Sequence, residues 1–371
     1  MDPDGGAGPV TIYLDYQATT PLAPEAFDAM VSLLRDQFAN PHSAHRLGRA
    51  ATAQVDLARA EILKLLPDGG RLIFTSGATE ALNMAIQGAP PGGIVTIATE
   101  HAAVLDTVDA LRRAGRDVTI LPVGPDGIVD LEEAARAIRP GTALVAAMLV
   151  NNEIGVIQPV AELADLAHSA GALFLCDAVQ GYGRVPIAPR CDMIAISAHK
   201  IHGPKGIGAL WLREDVTLTP IIHGGGQEGG LRSGTLSPAL CAGFGAAARL
   251  MRERAESDRL HVEALWSAAH GLFSQWTVNG SEDLRYHGNL NLRRAGVDGA
   301  RLLSECRDVA FSLGSACASG SGRPSHVLRA LGLSDADARG SVRIGFGRYT
   351  TLAELGDAAE AMNRAAQIWA P

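Results

Sequence analysis

The chain contains the run Met193-Ile194-Ala195-Ile196-Ser197, which is apolar over its first four positions and leads directly into Ala198-His199-Lys200. A strand that is apolar at consecutive positions is typical of a sheet covered by other structure on both faces. We therefore predict a buried strand of a parallel sheet here, with a polar tip at its carboxyl end. Ligands of open α/β sheets bind outside these ends, so the tip is also a candidate functional site.

Six further apolar runs of this kind occur in the first two thirds of the chain: Leu72–Thr75, Ile94–Ala98, Val118–Pro122, Ala143–Val150, Ala172–Cys176 and Gly208–Leu212. Helical patterns separate them, including Val104–Ala114 and Val160–Ala170, and Gly115 and Gly171 follow these two helices where a C-cap glycine is expected. This alternation predicts an α/β fold with a mostly parallel seven-stranded sheet and helices on both faces.

The pattern changes after this region. Pro238–Gln275 is rich in Ala, Leu, Arg and Glu, which predicts one or two helices that leave the sheet for a second lobe. Three short strands and a closing amphipathic helix are predicted beyond it, at Leu290–Leu292, Phe311–Leu313, Val342–Gly345 and Leu352–Ile368. We expect a large domain at 14–255 and a smaller α/β domain formed by 1–13 and 256–371.

Composition excludes several classes of function. The 371 residues carry a net charge of −8, which provides no positive field for nucleic acid or anionic lipid, and no run approaches the ~20 apolar residues of a membrane span. Met1–Pro9 has neither a basic start nor an apolar run, so we expect no signal or transit peptide. The five cysteines show no metal-ligand spacing, and their odd number is not typical of a disulfide framework. A cytoplasmic enzyme without a metal site is the expectation.

Four other predicted strands also end in polar residues, at Ser76-Gly77-Ala78-Thr79-Glu80, Thr99-Glu100-His101, Asn151-Asn152-Glu153 and Asp177-Ala178-Val179-Gln180. Because the carboxyl ends of parallel strands meet at one edge of a sheet, we expect these tips to converge. The first of them also opens a helix, where small residues with free N–H groups form an anion site, although the same residues serve simple capping.

Lysine is scarce, with only Lys64, Lys200 and Lys205 against 29 arginines. Lys64 lies in a helical stretch and is typical of a solvated face. Lys200 follows a strand end close to Asp177 if those strands are neighbours, and a buried lysine near a carboxylate suits Schiff-base chemistry. Pyridoxal phosphate needs such an amine, a carboxylate for its ring nitrogen, a flat group that stacks and an anion cradle. Lys205, in a glycine-rich turn, is the competing candidate, and an ion-paired lysine without a cofactor is the alternative.

Five long motifs then identify a family: Phe74-Thr75-Ser76-Gly77-Ala78-Thr79-Glu80, Val150-Asn151-Asn152-Glu153-Ile154-Gly155, His199-Lys200-Ile201-His202-Gly203-Pro204-Lys205-Gly206, Arg232-Ser233-Gly234-Thr235 and Gly314-Ser315-Ala316-Cys317. With them the chain resembles the pyridoxal-phosphate-dependent cysteine desulfurases of the NifS/IscS type, in the class V aminotransferase group of fold type I. The resemblance runs from Ile12 to Thr351. It implies pyridoxal phosphate as cofactor, a homodimer, L-cysteine as substrate, and a sulfur-acceptor protein in iron–sulfur cluster or thio-cofactor assembly.

The resemblance also implies roles for single residues. Lys200 forms the Schiff base with the cofactor and acts as acid and base on the substrate carbon. Asp177 pairs with the ring nitrogen, and His101 is a catalytic residue that stacks on the ring and moves protons. Gln180 and Asn152 lie near the ring oxygen and the substrate. The phosphate is held by a set whose last member comes from the other subunit: Ala78, Thr79, Ser197, His199 and Thr235.

Two further residues act on the substrate in this resemblance. Arg343 clamps the substrate carboxylate, a role that suits a planar guanidinium. Cys317 is the nucleophile that takes sulfur from cysteine, leaving alanine and a persulfide on the enzyme. Its glycine- and serine-rich surroundings agree with a reactive thiol, and the segment Cys317–Pro324 has the longer form of the NifS/IscS subgroup.

Two positions depart from the family pattern: Ala198 replaces a glycine, and Gly229 stands where relatives commonly have arginine. The chain also stops at Pro371, soon after the closing helix, so docking to an iron–sulfur scaffold protein through a longer C-terminal tail is not expected. A selenocysteine lyase, a related class V aminotransferase and a noncatalytic module on the same fold are the alternatives. Cys317 and Lys200 discriminate between them, since the fold alone does not.

Overall fold

The large sheet of the protein follows the predicted strands. A computed structural model describes residues 11–313 and 325–367. After a short β1 (Ile12–Tyr13), the strands of the large sheet are β2 (Gly70–Thr75), β3 (Gly93–Ile97), β4 (Val118–Leu121), β5 (Thr142–Met148), β6 (Leu173–Asp177), β7 (Met193–Ser197) and β8 (Gly208–Arg213). Their spatial order is β2-β8-β7-β6-β5-β3-β4, and all pairs are parallel except those of β8. The predicted α/β fold and its seven strands are confirmed, with every end within two residues of the prediction.

Helices cover both faces of this sheet: α1 (Pro24–Asp36), α2 (Arg46–Leu63), α3 (Ala78–Gly88), α4 (Ala102–Arg113), α5 (Leu131–Ala137), α6 (Val160–Ser169) and α7 (Pro238–Glu253). Alternate residues of β7 enter two different apolar cores. Ile194 and Ile196 pack in the core that contains residues of α2, α6 and α7, whereas Met193 and Ala195 pack in the core that contains residues of α3 and α4. Burial on both faces explains why β7 has no polar residue before its last position.

Glycine ends two of these helices as the sequence predicts. Gly115 follows α4 with φ +96°, and Gly171 follows α6 with φ +77°. Both values lie in the left-handed region, which glycine adopts without the steric penalty of a Cβ atom. The chain can therefore turn sharply at these points and enter β4 and β6.

A smaller lobe follows, built from α8 (Ala255–Leu272), β9 (Thr277–Val278), β10 (Asn289–Arg293), α9 (Gly299–Glu305), β11 (Val309–Ala310), β12 (Ser312–Leu313), α10 (His326–Ala330), α11 (Asp335–Arg339), β13 (Ser341–Gly345) and α12 (Leu352–Gln367). Its four-stranded antiparallel sheet has the order β12-β13-β10-β9, and it shares an apolar core with α8 and α12. β1 pairs in parallel with β11, which ties the start of the chain to this lobe. The domain boundaries given above stay a prediction.

The helical region at Pro238–Gln275 differs from its prediction in one respect. It forms two helices, but only α8 leaves the large sheet for the smaller lobe, and there it packs against α12. The other helix, α7, stays with the large sheet and packs against α1 and α2. Small residues on α7 allow this close approach, since a Cβ atom on Gly245 would lie 2.7 Å from Cα of Ala58. Within the described ranges, no helix is both long and apolar enough to cross a bilayer.

Candidate active site

The polar tips of the large sheet converge, as predicted, on one cavity of about 420 Å³. The cavity lining contains these residues from the sequence prediction: Ala78, Thr79, His101, Asn152, Asp177, Gln180, Ser197, His199, Lys200 and Arg343. Arg343 reaches it from β13, so both lobes contribute to the cavity. Thr235 does not line it, and Cys317 lies outside the described residues. The individual roles of all these residues stay predictions.

Lys200 is the better placed of the two candidate lysines. It ends a single 3₁₀ turn, Ala198–Lys200, directly after β7, and is half-buried. Its Nζ donates hydrogen bonds to the carbonyl oxygens of Gln17 and Ala18, the latter at 2.9 Å. Lys205 also lines the cavity, but it is exposed in a turn. The amine of Lys200 is thus held at a defined position in the cavity wall.

Asp177 is a buried carboxylate at the end of β6. Its Oδ1 accepts a hydrogen bond from the N–H of Val179 at 3.0 Å. Burial raises the pKa of Asp177, while that hydrogen bond and the nearby His101 and Lys200 act in the opposite direction. A cationic group in the cavity would favour the charged carboxylate, which suits the partner of a protonated ring nitrogen.

Glu100, which precedes His101, is fully buried near Asp177. Its Oε1 accepts a hydrogen bond from the N–H of Met148 at 2.6 Å, and Oε2 has no hydrogen-bond partner within the described ranges. Burial, and then the negative charge of Asp177, raise the pKa of Glu100 well above its ordinary 4.5. Burial beside Asp177 therefore favours the neutral form of this carboxyl group.

His101 both caps a helix and lines the cavity. It is the N-cap residue of α4, and its Nδ1 accepts a hydrogen bond from the N–H of Ala103 at 3.0 Å. Burial and the positive charge of Lys200 lower the pKa of His101, against the opposing effect of Asp177. The ring is consequently neutral at pH 7 and carries its proton on Nε2.

The predicted anion cradle lies at the N-terminus of α3. The first N–H groups of a helix have no intrahelical acceptor, and no described side chain caps this one. Ser197 and His199 lie on the same cavity wall, and Nδ1 of His199 is hydrogen-bonded to Oγ1 of Thr19 at 3.2 Å. Burial, and then the charges of the two nearby lysines, lower the pKa of His199 to about 4. A neutral histidine and a helix N-terminus form a site for an anion.

Arg343 is almost completely buried and is held from two sides. Its Nη2 donates to Oδ1 of Asp15 at 2.7 Å, and its Nη1 donates to the carbonyl oxygen of Asn152 at 2.9 Å. Its Nε is buried and has no hydrogen-bond partner in the described part of the chain. The guanidinium thus retains donors for another acceptor in the cavity.

Sequence reasoning missed the contribution of Asp15, Gln17 and Ala18. The segment 15–20 passes between the lobes and supplies the acceptors for Lys200, for Arg343 and for Nε2 of Gln180, which donates to the carbonyl oxygen of Gln17 at 2.9 Å. Two of these acceptors are backbone carbonyls, which leave no signature in residue type. The available signal was the motif Ile12–Thr20, which marked only the start of the resemblance.

The structure accounts for both departures from the family pattern. Ala198 faces Gly203, where an added Cβ atom would lie 2.9 Å from Cβ of Ala198, so the glycine makes room for the alanine. Gly229 has φ +65°, in the left-handed region that glycine adopts without a steric penalty. Its neighbour Glu228 is ion-paired with Arg59 at 2.8 Å and accepts from the N–H of Phe74 at 2.7 Å, which fixes this turn to β2.

The residues present fit pyridoxal phosphate. The cavity combines the amine of Lys200, the buried carboxylate of Asp177, the ring of His101 and the anion cradle of α3. Oε1 of Gln180 is buried and has no hydrogen-bond partner among the described residues, which leaves an unused polar atom in the wall. Each functional group of the cofactor therefore has a matching group on the protein.

Comparison with known proteins agrees with this chemistry. Residues 12–357 match the aminotransferase class-V family. The chain is 46% identical over 361 residues to the cysteine desulfurase IscS of Rickettsia bellii, covering 93% of this chain and 88% of that one. It is also 46% identical over 366 residues to the mitochondrial cysteine desulfurase of Saccharomyces cerevisiae, covering 94% and 74%. A solved structure of a NifS-like protein superposes with a TM-score of 0.88 at 30% identity, covering 97% and 99%. The predicted family is confirmed: the chain belongs to the cysteine desulfurases of the aminotransferase class-V family.

Proposed function

We propose that this enzyme converts L-cysteine to L-alanine and leaves the sulfur as a persulfide on Cys317. Enzymes of its family use pyridoxal phosphate, as the sequence predicts. The observation that carries the proposal is the single cavity that joins Lys200, Asp177 and Arg343. An amine, a buried carboxylate and a buried guanidinium meet the needs of an amino-acid substrate on this cofactor.

Different residues of the chain carry out the different parts of this proposed reaction. Lys200 and Asp177 would hold the cofactor by its aldehyde and its ring nitrogen, and α3 would hold its phosphate. When bound, the cofactor supplies an electron sink for the α-carbon of the substrate. Arg343 binds the substrate carboxylate, and Nζ of Lys200 moves the proton at that carbon. His101 would pack against the cofactor ring, and it holds a proton on Nε2.

The sulfur step balances without an added oxidant. The thiolate of Cys317 attacks the sulfur of L-cysteine, the Cβ–S bond of the substrate breaks, and the S–S bond forms. Cβ gains a proton, so the products are L-alanine and the Cys317 persulfide. A thiol reductant then releases sulfide and restores the free thiol. Described residues on both sides of 314–324 contact the site: Ser312 Oγ donates to Asp15 Oδ1 at 2.9 Å, and His326 Nε2 to the Glu100 carbonyl at 2.9 Å.

The acceptor of this sulfur is proposed to be a protein of iron–sulfur cluster or thio-cofactor assembly. The enzyme is proposed to act in the cytoplasm, where thiols stay reduced. The four described cysteines, Cys176, Cys191, Cys241 and Cys306, are all free thiols, which agrees with such a compartment. The yeast relative is named mitochondrial.

A homodimer is also proposed. Large apolar side chains are exposed on and around α1 and α2, namely Leu22, Phe27, Leu34, Phe38, Leu47 and Leu57. A second copy would remove this surface from water. Since Thr235 does not line the cavity of its own chain, it is available to the cavity of the other subunit.

The dimer predicts complementation between two inactive variants. In mixed dimers, Lys200→Ala subunits would provide Thr235 to the intact Lys200 site of Thr235→Ala subunits. We expect mixing of the two variants, with subunit exchange, to restore activity at that one site. A monomer in light scattering, or no restoration in mixed dimers, would contradict the shared site.

The decisive test measures L-alanine and sulfide from L-cysteine with the cofactor-loaded protein and a thiol reductant. Wild type should form the two products in equal amounts, and Cys317→Ser should bind the cofactor but form almost none. Cys306→Ser, which removes a buried thiol of the small lobe, is the matched control and should stay active. Unchanged turnover in Cys317→Ser would overturn the thiol mechanism. Cleavage of selenocysteine alone would identify the enzyme as the lyase instead.

A further inference from the structure

We propose that Asp15 is a positioning residue that orients Arg343 for the substrate carboxylate. The inference rests on the proposed function, because it assumes an amino-acid substrate that Arg343 clamps. Its basis is the geometry around the guanidinium, which is held at both ends while its Nε has no partner among the described residues.

The guanidinium of Arg343 has five N–H donors, and two of them are occupied. Nη1 donates to the carbonyl oxygen of Asn152, which follows β5 of the large lobe. Nη2 donates to Asp15, in the segment that passes between the lobes. A carboxylate binds a guanidinium best through two parallel N–H groups on one edge. Holding both terminal nitrogens fixes the plane of the group, and with it the edge that faces the cavity.

Asp15 is itself held rigidly. Its Oδ1 also accepts the hydroxyl of Ser312 at 2.9 Å, and Ser312 stands directly opposite Arg343 in the pairing of β12 with β13. The backbone of Asp15 forms a bridge with Gly345, two residues beyond Arg343 on the same strand. Oδ1 of Asp15 is thereby hydrogen-bonded both to Arg343 on β13 and to Ser312 on the neighbouring β12.

Loss of this carboxylate would leave Arg343 with the Asn152 carbonyl as its one acceptor among the described residues. The long side chain would then lose orientation more than charge, and the substrate carboxylate would have to order it on binding. We expect Asp15→Ala to raise KM for L-cysteine about tenfold, with a smaller change in kcat. Asp15→Asn retains an oxygen acceptor for Nη2, and KM should return to within about threefold of wild type.

The chain provides a closely matched control pair. Arg348 and Asp258 form an ion pair at 2.6 Å with side-chain exposures of 2% and 17%, against 1% and 19% for Arg343 and Asp15. Neither Arg348 nor Asp258 lines the site cavity. Asp258→Ala should therefore lower the thermal stability of the enzyme much as Asp15→Ala does, while KM stays unchanged.

The experiment uses the cofactor-loaded enzyme and two measurements. The first is KM and kcat for L-cysteine in wild type, Asp15→Ala, Asp15→Asn and Asp258→Ala. The second is the dissociation constant of L-alanine, from the change in cofactor absorbance, in the same four proteins carrying Cys317→Ser. This second measurement needs no sulfur chemistry. If Asp15→Ala does not fold, Asp15→Ser, whose side chain is shorter and polar, replaces it.

A double variant separates orientation from general damage. If Asp15 acts through Arg343, then Asp15→Ala should not weaken L-alanine binding further in an Arg343→Ala background. The inference would be overturned by equal rises in KM in Asp15→Ala and Asp258→Ala, or by an unchanged L-alanine affinity in Asp15→Ala. Additive losses of L-alanine affinity in the double variant would also overturn it. A wild type that binds L-alanine through Asp15 but does not desulfurate L-cysteine would overturn the proposed function and leave the role of Asp15 standing.

Discussion

Nδ1 of His101 accepts the backbone N–H of Ala103 at 3.0 Å, so one imidazole both caps α4 and lines the active-site cavity. The two roles can be separated, because asparagine is a good N-cap residue but has no ring. We expect His101→Asn to keep the stability of the enzyme within about 1 kcal/mol of wild type and to lower kcat/KM by roughly 10²-fold or more.

His101→Ala removes the cap as well as the ring. It should share the loss of turnover and cost about 1 kcal/mol more in stability than His101→Asn. Thermal unfolding and steady-state kinetics on the three proteins provide the comparison. Wild-type turnover in His101→Asn would mean that the ring only caps the helix.

The anion cradle depends on a close contact between β8 and the start of α3. A Cβ atom on Gly208 would lie 2.6 Å from the carbonyl oxygen of Ile196 and 2.7 Å from the carbonyl carbon of Gly77. Both are backbone atoms that cannot rotate away. We expect Gly208→Ala to cost about 1–3 kcal/mol in stability and to weaken cofactor binding at least tenfold, measured by titration of the apoenzyme.

Gly356→Ala is the control for this substitution. Gly356 lies in α12, and nothing is within 4 Å of its Cβ position, so alanine there should stabilise the helix by up to about 1 kcal/mol. Cofactor affinity equal to that of wild type in Gly208→Ala would place the phosphate away from α3.

His202 predicts loss of stability in acid. Burial, and then the charges of Arg348 and Arg184, lower its pKa from the ordinary 6.5 to about 3. The unfolded chain therefore binds this proton first as the pH falls, and the contribution of the neutral ring is lost between pH 6.5 and 3. From pH 7 to pH 5 this group alone should remove about 2 kcal/mol from the free energy of unfolding.

His202→Asn removes this titration, and asparagine tolerates the φ of +68° at this position. Urea unfolding at pH 7 and pH 5 should show a smaller acid loss in His202→Asn than in wild type. Exposed His223→Asn should keep the wild-type loss. Equal acid losses of stability in wild type, His202→Asn and His223→Asn would mean that folding does not lower the pKa of His202.

Glu100 predicts the opposite dependence on pH. Its pKa is raised by burial, so the folded state retains this proton while the unfolded chain releases it. The stability that this group provides is present below pH 4.5 and is lost as the pH rises towards its raised pKa, by up to about 1.4 kcal/mol per pH unit.

Glu100→Gln keeps the acceptor for the N–H of Met148 and is neutral at every pH. The difference in unfolding free energy between Glu100→Gln and wild type should therefore shift in favour of the variant between pH 5 and pH 8. Glu214→Gln, at an exposed position, should show no such shift. A constant difference would mean that Glu100 is ionised in the folded protein.

The seven strands of the large sheet could be predicted because burial on both faces produces long apolar runs, as at Met193–Ser197. The path of α7 could not, since its small residues suit packing on α1 and α2 as well as any other close contact. The lobe against which a helix packs depends on the surfaces of segments distant in the sequence. The residue pattern of the helix itself therefore does not predict it.

The candidate site could likewise be predicted only in part. Asp177 and Lys200 could be predicted because their residue types fit a definite chemistry at strand ends. The carbonyl acceptors of Gln17 and Ala18 could not, because every residue has a carbonyl group. The ion pair of Asp15 with Arg343 joins residues 328 positions apart, and nothing in the sequence between them indicates that they meet.

The hydrogen bonds from the segment 15–20 also determine when the site can exist during synthesis. Lys200 donates to Gln17 across 183 positions of the chain, and Arg343 donates to Asp15 across 328. A nascent chain is made from its N-terminus, so the large sheet can form while β13 has not yet been translated. Asp15 must therefore wait for Arg343, and the substrate-binding site arises only after β13 has been synthesised.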